Sequence, residues 1–253
     1  MSLTYLGHSA FRFELADLKI YLDPYFRDPV DWRKLPKGDL VLLSHGHFDH
    51  GVLMSPQLYE AWRCQFMAPK PLLKWMIRKY RRVIPAEAFI GITAGETTVF
   101  RGLEITAIPA HHPINRLGKT MFHLFARSSA PGRPVNGYYL GGYYHSGDTI
   151  YTPSIAEALK GKPVHTACLP IGGKYAVASP SEALRLAEEI GATRIVPMHW
   201  QPLIEQVLFR YQSSDLVKLG KKQKTKIDIC PLAIGETLEP FSDIENTLKI
   251  TPA

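Results

Sequence analysis

The segment Ser44-His45-Gly46-His47-Phe48-Asp49-His50-Gly51 puts three imidazoles and one carboxylate within six positions. It follows directly on the apolar run Leu40-Val41-Leu42-Leu43. An apolar core has no use for three clustered histidines. Divalent ions such as zinc do, because they take imidazole nitrogen and carboxylate oxygen, three or more from the protein. The chemistry to expect is therefore metal ligation at a loop leaving a buried strand. His45 and His47, two apart, point to the same side of an extended loop and can share one ion. Asp49 and His50 lie just beyond and are offset enough to reach a second.

One loop cannot surround two ions, so other strand ends must contribute. Three places qualify. In Ile108-Pro109-Ala110-His111-His112-Pro113, adjacent extended residues face opposite sides, so only one histidine ligates. His112 is favoured for the first ion, which leaves His111 as a supporting contact or partly exposed. In Tyr144-His145-Ser146-Gly147-Asp148-Thr149, Asp148 stands beside a glycine and can bridge two ions with its carboxylate. His145 reads there as a structural or supporting group ahead of a direct ligand. In Ile195-Val196-Pro197-Met198-His199-Trp200, His199 ends a β run and suits the second ion. Each of these alone reads equally well as a satisfied structural residue. Placed together at strand ends, they support one another.

The elements that must position these residues follow from periodicity and punctuation. Strands are expected at 3–6, 10–15, 19–22, 40–43, 99–100, 103–108, 121–126, 137–144, 166–169 and 194–197. Helices are expected at 52–64, 71–82, 155–159 and 181–190. Pro180-Ser181-Glu182-Ala183 reads as a helix entry and Gly191 as its stop. Pro131-Gly132-Arg133-Pro134 is a turn signal, and the five lysines of 218–226 read as a solvated turn. Strands come first and then alternate with helices. That order predicts an α/β (α+β) chain with two sheets face to face and helices outside; 253 residues allow one large domain or two small ones, and with no linker evident the chain reads as one domain over 1–253.

Composition sets outer bounds. A chain of 253 residues with 45% hydrophobic and 21% charged residues has the profile of an ordinary soluble globular protein. The net charge of +7 favours an anionic substrate or acidic partner. Met1-Ser2-Leu3-Thr4-Tyr5 enters a strand pattern at once rather than a signal peptide. No apolar run is long enough to span a bilayer. Cys64, Cys168 and Cys230 form neither a disulfide framework nor a metal knuckle, and each reads as a small buried hydrophobe. A reducing cytoplasm is the expected location. The chain assigns no oligomeric state.

In this order, His45, His47, Asp49, His50, His112, Asp148 and His199 resemble the metallo-β-lactamase superfamily over nearly the whole chain. Leu6-Gly7-His8-Ser9-Ala10-Phe11, Leu22-Asp23-Pro24, the Tyr144–Thr149 segment and Leu169-Pro170-Ile171-Gly172-Gly173 narrow the likeness. They resemble the branch holding bacterial metal-dependent hydrolases, L-ascorbate-6-phosphate lactonase and N-acyl-phosphatidylethanolamine phospholipase D. The resemblance implies a four-layer αββα sandwich with a two-metal site at one edge. On that pattern His45, His47 and His112 hold the first ion, Asp49, His50 and His199 the second, and Asp148 bridges. The chain departs from antibiotic-degrading enzymes in carrying Asp148 where they often use cysteine, which argues against β-lactam hydrolysis. Ala178-Ser179-Pro180-Ser181 also departs from the Met-Gly-Pro wording common in the hydrolase branch.

Two divalent ions, with zinc first and manganese, iron or nickel as substitutes, would supply a bridging hydroxide as nucleophile and polarise the attacked oxygen. Asp49 then orients the hydroxide or takes its proton, as the catalytic residue. Two dications against two carboxylates and one hydroxide leave net positive charge, which suits an ester, lactone or phosphodiester of an anionic small molecule. His8 and Asp23 are candidates to touch substrate or support a ligand histidine. Tyr25, Lys174 and Tyr175 are weaker substrate contacts. A metal-dependent nuclease is the alternative enzyme, with Lys70, Lys74, Arg78, Lys79, Arg81 and Arg82 gripping phosphates and Trp75 and Tyr80 among them. A non-catalytic metal-binding protein is the third class.

Overall fold

The computed structural model describes residues 1–26, 29–113, 129–173, 177–200 and 210–238. The expected strand at 121–126, and Lys174 and Tyr175, lie outside them. The described residues pack as two compact units, one drawn from those of 1–93, 129–136 and 233–238, the other from those of 94–113, 137–200 and 210–232. Elements are numbered below in chain order.

The first unit carries β1 (Ser2–Gly7), β2 (Ala10–Leu15), β3 (Leu18–Leu22), β4 (Leu40–Leu42), β5 (Gln65–Pro69), β6 (Phe89–Ile92) and β14 (Thr237–Leu238). They form one sheet in the order β14-β1-β2-β3-β4-β5-β6. The β14–β1, β1–β2 and β2–β3 pairs are antiparallel, the last two as hairpins, but β3, β4, β5 and β6 run parallel. Parallel register matters here, because Leu22 pairs with Leu42 and the chain therefore leaves both strands side by side. The helices α1 (Ser55–Trp62) and α2 (Lys70–Tyr80) pack on a core that includes Val41, Leu43, Leu58, Phe66, Leu72 and Met76. All six are buried, and burying a side chain of this size stabilises by about 1.5–3 kcal/mol.

The second unit carries β7 (Thr97–Phe100), β8 (Leu103–Ala110), β9 (Val135–Leu140), β10 (Tyr143–His145), β11 (Thr166–Pro170), β12 (Arg194–Met198) and β13 (Asp228–Ile229). The sheet order is β13-β12-β11-β10-β9-β8-β7, with β10 to β13 parallel. The helices α3 (Pro153–Leu159), α4 (Pro180–Glu189) and α5 (Ser213–Gln223) belong to this unit. Its core includes Ile108, Tyr144, Ile155, Leu169, Leu184 and Ile195. The mixed α/β class with two sheets and flanking helices is the one expected.

Four local expectations need correction. The run 137–144 is two strands, because Gly141 and Gly142 both take positive φ (53° and 82°) and close a two-residue hairpin turn. The run 52–64 begins as a 3-10 turn, Val52–Met54, and becomes α-helical only where Pro56 enters the first turn. Gln65–Pro69 and Phe89–Ile92 are strands, the first mostly buried and the second half-buried or buried apart from exposed Gly91, that their short, mixed composition concealed. The lysines of 218–226 are mostly the exposed face of α5, whose Leu216 is buried. Lys221 and Lys222 in its last turn complement the helix dipole.

Cys64 and Cys168 are buried as expected, but Cys230 is only half-buried and its thiol donates to Asp228 Oδ2 at 3.1 Å. Burial pushes the Cys64 thiol up to about 12 and raises Cys168 as well, so both stay neutral and weakly nucleophilic across the physiological range. Among the described residues no helix is long and apolar enough to cross a membrane. Titration of the native protein at pH 8 with a thiol-reactive dye should label Cys230 and leave Cys64 and Cys168 unmodified until denaturant is added. Prompt labelling of all three would contradict this packing.

Candidate metal centre

The His loop begins where β4 ends. Ser44 is buried two residues past β4, within hydrogen-bond reach of Asp23, the first residue beyond the parallel neighbour β3. Asp23 is 1% exposed and takes three donors. The Ser44 backbone N–H donates to Oδ1 at 2.7 Å, the Ser44 hydroxyl to Oδ2 at 2.6 Å, and His50 Nδ1 lies 2.7 Å from Oδ2. A buried carboxylate beside an imidazole holds the proton on the facing nitrogen, so the lone pair of His50 sits on Nε2, the atom that could take a metal. The same logic passes through Ser44. Its proton goes to Asp23, so its oxygen accepts from His45 Nδ1 at 2.9 Å, and His45 also presents Nε2.

His45 Nε2 and His47 Nδ1 stand 2.8 Å apart. Two imidazole lone pairs at that distance repel unless a proton or a cation shares them. The pair therefore fits a common ion. His47 sits where the loop turns into the 3-10 turn Phe48–His50, which buries Asp49 and His50. Gly51 ends that turn at φ +84°, and a Cβ there would meet the Pro24 carbonyl at 2.5 Å. The return past Pro24 thus requires glycine on both counts.

His8 enters the same unit from the β1–β2 turn. Its Nε2 lies 3.3 Å from Asp49 Oδ2, and one ligand atom from each of His8, Asp49 and His50 falls within 4.8 Å of the others. The sequence placed His8 as a supporting or substrate-facing group; the fold sets it directly against a candidate ligand. The Tyr5 hydroxyl donates to the His8 carbonyl at 3.2 Å and holds that turn.

In the second unit three residues converge. Asp148 Oδ2 lies 3.5 Å from His112 Nε2, and Asp148 Oδ1 lies 3.2 Å from His199 Nε2. All three are buried, with His112 just past β8, Asp148 past β10 and His199 past β12. His111 is exposed and turns its backbone to the Asp148 loop. Its N–H donates to Thr149 Oγ1 at 2.9 Å, and its carbonyl accepts from Ile150 at 2.9 Å. His145 Nδ1 accepts the Gly147 N–H at 3.2 Å, which shapes the turn carrying Asp148.

Ser44 received no role from the sequence, since a serine at a loop entry is ordinary. Only the pairing of β3 with β4 reveals it. Lys70, Lys74, Arg78, Lys79, Arg81 and Arg82 are exposed. Trp75 and Tyr80, however, turn towards the core, and the Tyr80 hydroxyl donates to the Val52 carbonyl at 3.1 Å. The cationic face therefore lacks the aromatic platform on which bases would stack.

Comparison with solved structures defines the class first. The chain matches Igni18, a metallo hydrolase from Ignicoccus hospitalis, with TM-score 0.75 and 23% identity over 95% of this chain and 99% of the other. It also matches the diiron β-hydroxylase CmlA of Streptomyces venezuelae, with TM-score 0.70 and 14% identity over 94% of this chain and 54% of the other. These likenesses establish the metallo-β-lactamase fold, and a hydrolase and a hydroxylase sharing it show that the fold alone does not choose the reaction. A β-lactamase superfamily domain model matches residues 2–199. A UPF0173 metal-dependent hydrolase of Methanopyrus kandleri is 31% identical over 218 residues, 81% of this chain and 87% of the relative. The chain thus belongs to the β-lactamase superfamily and, within it, to the UPF0173 metal-dependent hydrolases. It is a metal-dependent hydrolase.

Asp23→Asn keeps the shape of the side chain but replaces one acceptor oxygen with a donor facing His50 and Ser44. We expect about a 10–100-fold loss of metal affinity in competition with a chromogenic chelator, with the fold retained by circular dichroism. Unchanged affinity would remove Asp23 from the support of His45 and His50.

Proposed function

We propose that the chain hydrolyses an ester, lactone or phosphodiester bond in an anionic small molecule, as one catalytic domain with two divalent ions. His45, His47 and His112 would hold one ion, Asp49, His50 and His199 the other, and Asp148 would serve both. The observation that carries this reading is the Asp148 carboxylate, whose two oxygens face two different histidines at 3.5 and 3.2 Å. With one oxygen towards each histidine, the carboxylate is placed to serve ions held by different imidazoles. The donor set of imidazole and carboxylate fits zinc, with manganese, iron or nickel as alternatives.

Bound ions of this kind supply a water acidic enough to attack near neutral pH and positive charge for the attacked oxygen. The protein supplies the rest. Asp49, buried and 3.3 Å from His8, would orient the attacking water and accept its proton. His8 would then steady the carboxylate as its charge changes. Asp23 and Ser44 hold two imidazoles in one tautomer, so no reorganisation accompanies substrate entry.

With zinc or manganese supplied, His45→Ala and Asp148→Ala should each lose metal, read by elemental analysis, and lose turnover of a chromogenic phosphodiester or lactone panel. Full occupancy in both variants would sink the ligand set. His111→Ala should retain metal and most activity where His112→Ala does not. The opposite ranking would exchange their roles.

A further inference from the structure

The second unit contains a cavity of about 700 Å3 with Ile150, Gly173, Val177, Glu182, Arg210 and Tyr211 on its wall. That size suits a small organic ligand. Ile150 stands two residues past Asp148, so the cavity borders the loop that carries the proposed bridging carboxylate. Its apolar wall and its charges have separate origins.

The two charged groups are not equivalent. Glu182 is committed to its own helix: the Ser179 N–H and hydroxyl both donate to Glu182 Oε2, at 2.9 and 2.7 Å, in a capping box. The positive end of the α4 dipole offsets its charge further. Arg210 has no such commitment. Its guanidinium lies over the Tyr211 ring at 5.6 Å, and among the described residues no carboxylate pairs with it. The backbone beneath it is held in place. The Arg210 N–H donates to the Gly172 carbonyl at 2.9 Å, and a Cβ on Gly173 would meet the Tyr211 ring at 2.9 Å. Val177 is anchored by the next residue, whose N–H donates to the Thr149 carbonyl at 2.7 Å.

We propose that this cavity is the substrate subsite for a small organic anion, whose carboxylate or phosphate pairs with Arg210 while its apolar body lies against Ile150, Val177 and Tyr211. The proposal rests on the hydrolase reading for its place in catalysis, and on the cavity alone for binding. A guanidinium forks two N–H donors towards such a group, which a lysine cannot reproduce.

The test uses phenylphosphonate, which carries the acid and a compact apolar body but no hydrolysable ester. Its binding to the full chain is titrated by NMR in metal-loaded and chelator-treated protein, with the uncharged phenyl methyl sulfone as control. Arg210→Gln should weaken phenylphosphonate by about tenfold or more in both preparations, and Arg210→Lys by less, while the sulfone binds all proteins alike. Because Arg210 is exposed, these variants should keep the wild-type melting temperature. Equal phenylphosphonate affinity in wild type and Arg210→Gln would overturn the proposal, as would a sulfone affinity equal to that of the phosphonate. Discrimination that persists in protein inactive on every ester would overturn the hydrolytic reading and leave the anion subsite standing.

Discussion

The Asp23 carboxylate is the interaction on which the candidate centre depends. It is buried, it accepts from the Ser44 N–H and hydroxyl, and it faces the His50 ring. A buried carboxylate without donors would be too costly to keep; removing one partner of a buried charged pair typically costs about 3–5 kcal/mol. Here the donors are the very groups whose orientation matters. One negative charge thus sets the proton on His50 directly and on His45 through Ser44. Both rings are thereby held with the lone pair on Nε2.

Sheet polarity explains why such a small group can control so much. In the first unit β3 and β4 run parallel, so Asp23 and Ser44 leave their strands together. In the second, β10, β11 and β12 run parallel, and Asp148 and His199 leave at the same edge. Antiparallel pairing would send alternate loops to opposite ends. Each unit therefore gathers its imidazoles and carboxylates at one edge of its sheet, as open α/β sheets do with their ligands.

That gathering carries a conformational cost. His8, Asp23 and His199 all take positive φ, at 53°, 43° and 54°. Histidine and aspartate tolerate this region better than most side chains, yet each such residue costs about 1–3 kcal/mol. The surrounding bonds offset it: Asp23 N–H reaches the Leu42 carbonyl at 2.9 Å, and the Tyr5 hydroxyl reaches His8. Among the described residues Ala16, Arg63, Arg101 and Lys224 also take positive φ, so three of seven such side chains fall among the chemically competent residues.

Much of this was legible from sequence because it is written in local patterns. The apolar run before Ser44, the spacing of His45, His47, Asp49 and His50, and the β runs before His112, Asp148 and His199 all report strand ends that carry ligand types. Periodicity likewise marked α2, α3 and α4 and most strands. Alternation along an extended chain lets only one of His111 and His112 face inward, and His112 is the buried one while His111 is exposed. What sequence could not reach depends on which strands become neighbours. Ser44 gains its role only because β4 lies beside β3, Asp23 becomes a hub for the same reason, and His8 meets Asp49 across 41 positions of chain. Arg210 looks like any surface arginine until Gly172 and Gly173 seat it on a cavity wall. Spacing along the chain is fixed by covalent geometry and can be read residue by residue. Proximity between distant segments is set by sheet register and core packing, which exist only once the whole chain has folded.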